Sequence, residues 1–259
     1  MKKVVMMIAV FTGLFFFSGI SGVIGGEITV KGNITIDEDE LRKIIKKVIR
    51  ENPKLILETI NAYAKKEKRE KQKKQLESSF KKRIKDIGVS DKNPSQGPKD
   101  AAITLVEYTD FECPYCSKGA RTVKKVMEKY PEKVRVVFKN NPLDFHEQAM
   151  PAAKAALAAN RQGKFWEYHD LLFENSSKLS EELLVKFAEQ LKLDMKKFDD
   201  DRNSPEIADQ IESEVAEAKK NKLRGTPTFV ANGVVIRGAQ KLNYFSKVID
   251  RLLSEKKQK

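Results

Sequence analysis

Ile103-Thr104-Leu105-Val106-Glu107-Tyr108-Thr109-Asp110-Phe111-Glu112-Cys113-Pro114-Tyr115-Cys116 begins as a β-rich run and ends in two cysteines three positions apart. Residues 103–108 read as a buried central strand. A helix is expected from about 114 to 130, and residues 134–138 as the next strand. Strand, helix, strand at this spacing implies a right-handed crossover joining a parallel pair. Residues 146–222 are helical in composition, rich in Ala, Leu, Glu and Lys, with breaks expected near Gly163, at 175–178 and at 203–205. Thr228-Phe229-Val230, Asn232-Gly233 and Val234-Val235-Ile236 then spell a hairpin with a two-residue turn. A last amphipathic helix follows over about 242–253.

The chain has only 2 cysteines, so Cys113 and Cys116 pair with each other or with another protein. A cross-link stabilises by restricting the unfolded chain in proportion to the logarithm of loop length, and this pair closes almost no loop. Its purpose is therefore chemical. A thiol near its reference pKa of ~8.5 is only a few per cent thiolate at neutral pH, and only the thiolate attacks a disulfide. If the helix starts at Pro114, the free amides of its first turn point at the Cys113 sulfur, and proline suits that position because it has no amide hydrogen to lose. Lowering the pKa by ~3 units would stabilise the thiolate by about 4 kcal/mol and make the disulfide a better oxidant. Cys116, one turn inside, is expected to be more buried and to stay protonated longer.

Zinc is the competing use of a C-x-x-C pair, but it wants four ligands, and the chain adds only His146 and His169, both distant in sequence. No metal is expected, and the histidines are read as surface or packing residues of the helical segment. Glu107 shares a strand face with Ile103 and Leu105. It is either buried, with its pKa raised towards neutrality, or reaches solvent at the strand end. Pro227 in Arg224-Gly225-Thr226-Pro227-Thr228 would, taken alone, be an ordinary trans proline in a turn.

From about residue 101 to the last helix the chain resembles the DsbA-like thiol-disulfide oxidoreductases of the thioredoxin superfamily. The matching motifs are Glu107-Tyr108-Thr109-Asp110-Phe111-Glu112-Cys113-Pro114-Tyr115-Cys116 and Gly225-Thr226-Pro227. The resemblance implies an α/β thioredoxin fold with an inserted helical domain. It makes Cys113 the nucleophile, Cys116 the resolving thiol, Pro227 the cis-proline facing the disulfide, and Glu107 a buried acid that helps move the second cysteine's proton. Pro114, Tyr115 and Thr226 fall where the family meets its substrate. The Pro-Tyr dipeptide departs from the Pro-His of the strongest oxidants and removes an imidazole that pairs with the thiolate. No bound cofactor is implied beyond the redox-active disulfide Cys113-Cys116.

Ahead of this region the chain is basic: residues 27–99 hold 20 Lys and Arg against 12 Asp and Glu, a large share of the formal net charge of +13. Met1-Lys2-Lys3 followed by an apolar run over 4–17 has the form of a secretory signal. Residues 4–26 are uncharged and long enough to span a bilayer, so the expectation is a signal peptide or an uncleaved membrane anchor at 1–26. Either gives a periplasmic or extracytoplasmic protein. Leu41, Ile44, Ile45, Val48 and Ile49 recur at helical spacing, and Asn52-Pro53 restarts a second helix. Its basic continuation over 65–85 carries Leu76, Phe80 and Ile84, an apolar stripe expected to be too narrow to pack into a globular core. The readings for this extension are a solvated connector, a homo-oligomer through residues 38–63, or contact with an anionic membrane surface. Nucleic acid is not expected of an exported protein.

Glu51-Asn52-Pro53-Lys54-Leu55-Ile56-Leu57-Glu58 also resembles the helical extension of the ScsC-like subgroup, some members of which are trimeric isomerases. The domains expected are thus 1–26, a helical basic extension at 27–87, a linker at 88–99, and a DsbA-like domain at 100–259 with its helical insertion at about 145–222. The resemblance implies exported substrate proteins and a membrane redox partner of the DsbB or DsbD kind. Three functions follow: an exported oxidoreductase that forms or exchanges disulfides, an oligomeric isomerase with the same pair, or a thioredoxin-fold chaperone or binding module with an inert disulfide.

Overall fold

The structure, a computed structural model, describes residues 37–258. The expected signal or anchor at 1–26 lies outside them. The chain divides into two compact units, Met1–Lys71 and Gln72–Lys259.

In the first unit, α1 (Glu38–Glu51) is capped by Asp37, whose carboxylate accepts the Glu40 amide at 2.8 Å, and three acidic residues in its first turn complement the helix dipole. Asn52 interrupts the helix, and Pro53 opens α2 (Pro53–Lys81). Leu41, Ile44, Ile45, Val48, Ile49, Leu55, Leu57, Ile60 and Tyr63 are all between 45% and 66% exposed.

The second unit is built on a five-stranded sheet ordered β1-β3-β2-β4-β5. β2 (Ile103–Thr109) and β3 (Val134–Asn140) are parallel and flank the helix α3 (Pro114–Lys129), the crossover expected from the sequence. β4 (Thr228–Ala231) pairs antiparallel with β2, and β5 (Val234–Arg237) with β4. Asn232 at φ 43° and Gly233 at φ 86° make the two-residue turn between them. α3 and the last helix α9 (Leu242–Lys257) cover one face, where Ile103, Leu105, Val126, Val136, Phe229, Phe245 and Ile249 form a dry core. The insertion runs α4 (Ala149–Arg161), α5 (Phe165–Glu174), α6 (Glu181–Gln190), α7 (Met195–Arg202) and α8 (Pro205–Lys220). α4 is buried along most of its length by alanines, whose small side chains let the neighbouring helices approach closely. Ala218 of α8 and Leu223 return to cover the other sheet face against Val106, Val137 and Val230. This is an α/β thioredoxin fold with an inserted helical domain, preceded by a helical extension.

Three features differ from expectation. A break not foreseen separates α6 from α7, because Lys192 takes φ 55° and the Asp194 carboxylate accepts the Lys197 amide at 3.0 Å to start a new helix. The end of α2 does pack into the globular core: Phe80 is 7% exposed, and Leu76 lies on the same cluster. The stripe is narrow, but the guanidinium of Arg251 sits 3.9 Å from the Phe80 ring and that of Arg83 5.0 Å from it, closing the edges that apolar neighbours would otherwise cover. Within the expected linker at 88–99, Ser95–Gln96 forms β1 against β3, and the Asn93 amide is held by the buried Glu214 carboxylate at 2.8 Å.

Candidate active site

β2 leaves the sheet at Thr109, and its next residue, Asp110, organises the turn that follows. The Asp110 side chain is fully buried. It accepts the amides of Glu112 at 2.8 Å and Leu143 at 2.9 Å, and its Oδ2 lies 2.8 Å from Nδ1 of His146. The Glu112 carboxylate accepts the Gln148 amide at 2.7 Å. The turn before Cys113 is thereby fastened to the segment after β3, two stretches about 35 residues apart. His146 is thus a structural partner of the turn. His169 is packed among Phe111, Phe138, Phe165, Trp166 and Phe173, and its burial, opposed by Asp170, holds the imidazole below its ordinary range. Among the described residues no group of three metal-ligating side chains comes together.

Cys113 is the N-cap of α3, with Pro114 in the first helical position and the Cys113 carbonyl accepting the Cys116 amide at 2.9 Å. Both sulfurs are thiols. Cys113 is 5% exposed and Cys116 is fully buried. The Cys116 thiol hydrogen-bonds the Cys113 sulfur and is the largest influence holding Cys113 down to about 5. Burial opposes it, and the Thr226 side chain and the amides of Cys116 and Tyr115 assist it. The free amides at the helix start therefore act as expected, but the second thiol acts more strongly. Burial pushes Cys116 well above the ordinary thiol range, and its donated hydrogen bond adds to this.

Facing the pair, the peptide between Thr226 and Pro227 is cis, and the Thr226 carbonyl oxygen lies 3.8 Å from the Cys113 sulfur. Pro227 lies directly against Gly119 of α3. A side chain at Gly119 would place its Cβ 3.0 Å from Pro227 Cγ and 3.2 Å from Phe229 Cζ. Pro114 and Tyr115 are exposed beside Cys113, with the Lys118 ammonium 5.2 Å from the Tyr115 ring centre. Glu107 is 1% exposed, and burial pushes its carboxyl up to about 8, the Thr109 hydroxyl offsetting part of that rise. Its neighbours across the sheet are Phe138 and Phe229.

The structure thus gathers Cys113, Cys116, Thr226 and Pro227 at one place, with Pro114 and Tyr115 on its rim and Glu107 beneath it in the sheet. Sequence reading missed Asp110, Gly119 and Thr109. Asp110 carried a weak signal, since a carboxylate in a strand-to-helix turn commonly binds nearby amides. Gly119 and Thr109 carried none. Chemically, a thiolate beside a protonated, buried second thiol is an arrangement for accepting and releasing a mixed disulfide.

A family profile described as thioredoxin matches residues 89–251. A protein named Na(+)/H(+) antiporter NhaA 3 from Salinispora tropica is 41% identical over 144 residues, 55% of this chain and 22% of that protein. The chain spans about a quarter of the length of such curated relatives. Among solved structures, a thioredoxin-like oxidoreductase from Silicibacter pomeroyi is 29% identical with a TM-score of 0.58, over 64% of this chain and 94% of that one. A doubly substituted form of alpha-DsbA1 from Wolbachia pipientis is 25% identical with a TM-score of 0.59, over 65% and 94%. ScsC of Proteus mirabilis in a transitional conformation is similar in fold at 24% identity and a TM-score of 0.56, over 84% and 97%.

Proposed function

The chain belongs to the thioredoxin family, and from that premise we propose that it is an exported thiol-disulfide oxidoreductase that forms or exchanges disulfides in exported proteins. One observation carries the reading: a Cys113 thiol held down to about 5 at the start of α3, hydrogen-bonded by a buried Cys116 and faced by the Thr226 carbonyl. The Cys113 thiolate attacks a substrate disulfide, or the Cys113-Cys116 disulfide is attacked at Cys113 by a substrate thiolate. Cys116 closes the cycle by displacing the substrate from the mixed disulfide. Pro114, Tyr115 and the Thr226 backbone meet the substrate chain, Pro227 shapes that surface, and Glu107 serves the proton traffic of Cys116. No bound cofactor is needed, since the disulfide itself carries the two electrons. A membrane redox partner of the DsbB or DsbD kind restores it.

A periplasmic or extracytoplasmic site of action, with residues 1–26 as signal or anchor, fits this chemistry, because protein disulfides persist in oxidising compartments. A Salmonella enterica protein of similar fold is described as periplasmic and thioredoxin-like. Among the described residues no helix is long and apolar enough to cross a membrane. The antiport named for the curated relatives belongs to proteins of which this chain matches about a quarter, and it is not carried over.

Cys113→Ser is expected to abolish both insulin reduction and oxidative refolding of a reduced substrate. Unchanged rates in that variant would sink the reading. A second reading, an oligomeric isomerase, draws support from the apolar side chains of α1 and α2, which lie uncovered within 38–63. Light scattering on the full chain tests it: a monomer at all concentrations removes that reading.

A further inference from the structure

Three buried polar atoms lack a well-formed hydrogen bond, Oε1 of Glu107, Oγ1 of Thr109 and Oγ1 of Thr226, and both threonines bear on the Cys116 thiol. Buried polar atoms are nearly always paired, so such a cluster calls for an explanation. Glu107 and Thr109 stand two apart on β2 and so project from one face of the sheet. Both are 1% exposed. The Thr109 hydroxyl lies against the Glu107 carboxyl on one side and the Cys116 thiol on the other. Neither contact has the geometry of a fully formed hydrogen bond, so the hydroxyl hydrogen can turn towards either neighbour, and such contacts commonly tighten only when substrate is bound.

We propose that the Thr109 hydroxyl is the group through which Glu107 and Cys116 exchange a proton, an inference that rests on the reading of Cys113 and Cys116 as the exchanging pair. In the oxidising direction a substrate dithiol is the reductant. One of its thiolates attacks Cys113 Sγ, a bond forms between the two sulfurs, and the Cys113–Cys116 bond breaks with its electron pair leaving on Cys116 Sγ. That sulfur is buried where a thiolate is disfavoured. Thr109 gives it the hydroxyl hydrogen and takes the carboxyl hydrogen of Glu107, so the hydroxyl is unchanged and Glu107 is left as carboxylate. The second substrate thiolate then attacks the substrate sulfur of the mixed disulfide and releases Cys113 as thiolate. The substrate dithiol is oxidised by two electrons and the protein disulfide reduced by two. Running backwards, the Glu107 carboxylate draws the proton from Cys116 through Thr109 as Cys116 attacks.

Apart from burial, the Thr109 hydroxyl is the influence on the Glu107 carboxyl. Across the sheet it meets Phe138 and Phe229. From α3 the titratable groups turned inward are Cys113 and Cys116, while Lys118, Arg121, Lys124, Lys125, Glu128 and Lys129 are exposed. From α5 the buried groups are Tyr168 and His169, with Glu167, Asp170 and Glu174 exposed, and from α9 Tyr244 is buried while Lys247 and Asp250 are exposed. No charge from these elements contributes to the shift of Glu107.

The test is the rate at which dithiothreitol reduces the disulfide form of the full chain, measured from well below to well above pH 8. Thr109→Val keeps the shape and removes the hydroxyl, and Thr109→Ser keeps the hydroxyl. Once the reagent's own ionisation is divided out, the wild type and Thr109→Ser should show an inflection near 8, where Glu107 loses its proton. Thr109→Val should lose that inflection and run about tenfold slower below it or worse, matching Glu107→Gln, with the double variant no slower than either single one. A Thr109→Val protein with wild-type rate and inflection overturns the proposal. So does one that is slower with the inflection intact, since that is the behaviour of a structural residue. If thermal melting shows Thr109→Val to be unfolded, Thr109→Ala is read by the same two criteria. A wild type that exchanges with no thiol at all overturns the parent reading and this one together, whereas a normal wild type with unaffected variants overturns this one alone.

Discussion

The thiol of Cys116 hydrogen-bonds the sulfur of Cys113, and that contact outweighs every other influence on the Cys113 pKa. The two cysteines are therefore unequal for a reason internal to the pair. Burial keeps the proton on Cys116, and that retained proton keeps Cys113 charged.

Cys116→Ala should accordingly raise the Cys113 pKa from about 5 back towards the ordinary thiol range, whereas Cys116→Ser, which keeps a donor, should raise it less. The pH dependence of thiolate ultraviolet absorbance or of alkylation rate reads this directly. Midpoints that stay near 5 in both variants would assign the low value to the helix start instead.

Glu107 is expected to cost the fold stability at neutral pH. Its folded pKa of about 8 lies above the ordinary 4.5, so between those values the unfolded chain releases a proton that the folded chain keeps. Stability from this group is complete below about 4.5 and declines as the pH rises towards 8. Glu107→Gln should therefore be the more stable protein, by about 3 kcal/mol near neutrality, with the gap vanishing in acid. Urea unfolding at several pH values measures it, and a constant gap would refute the assignment.

Gly119→Ala sets helix propensity against packing. Alanine gains about 1 kcal/mol in a helix interior, but its methyl would sit 3.0 Å from Pro227 and 3.2 Å from Phe229. A proline ring cannot fold away, so the substitution should be destabilising overall by about 1 to 2 kcal/mol. It should also slow exchange by displacing the Thr226 carbonyl from Cys113. Thermal melting with an insulin-reduction assay checks both.

Phe80→Ala should cost about 3 kcal/mol, since it empties a site closed by two guanidinium groups. By the same reasoning a chain starting at Gln72 should melt close to the full protein, and one starting after residue 90 should melt lower. Indistinguishable melting of the two shortened chains would show that the end of α2 adds nothing.

The parts legible in the sequence were those whose signal is local. β2, the C-x-x-C helix start, β3 and the Asn232-Gly233 hairpin each declare themselves within about ten residues, through a β-rich run, a proline at a helix start, or a turn that demands positive φ. What stayed hidden depends on distant partners. Asp110 acquires its role only when Leu143 and His146 arrive across the crossover. Gly119 matters because Pro227, far along the chain, needs the space, and Phe80 because Arg251 of the last helix covers it. Lys192 reads as mid-helix, and only the competing cap at Asp194 reveals the break.

Among the described residues the sheet ends in two brief edge strands: β1 is 2 residues long and β5 is 4. At the β5 end the turn is also occupied, with the Ile84 amide donating to the Gly233 carbonyl at 2.8 Å. If the protein exchanges disulfides in other chains, as proposed, it meets many unpaired strands, and a long open edge would invite them to add to its sheet and stay there. Edges this short deny such chains a template. On the proposed reading a client would be left to meet the protein at the rim of the cysteine pair, where contact ends once the disulfide is exchanged.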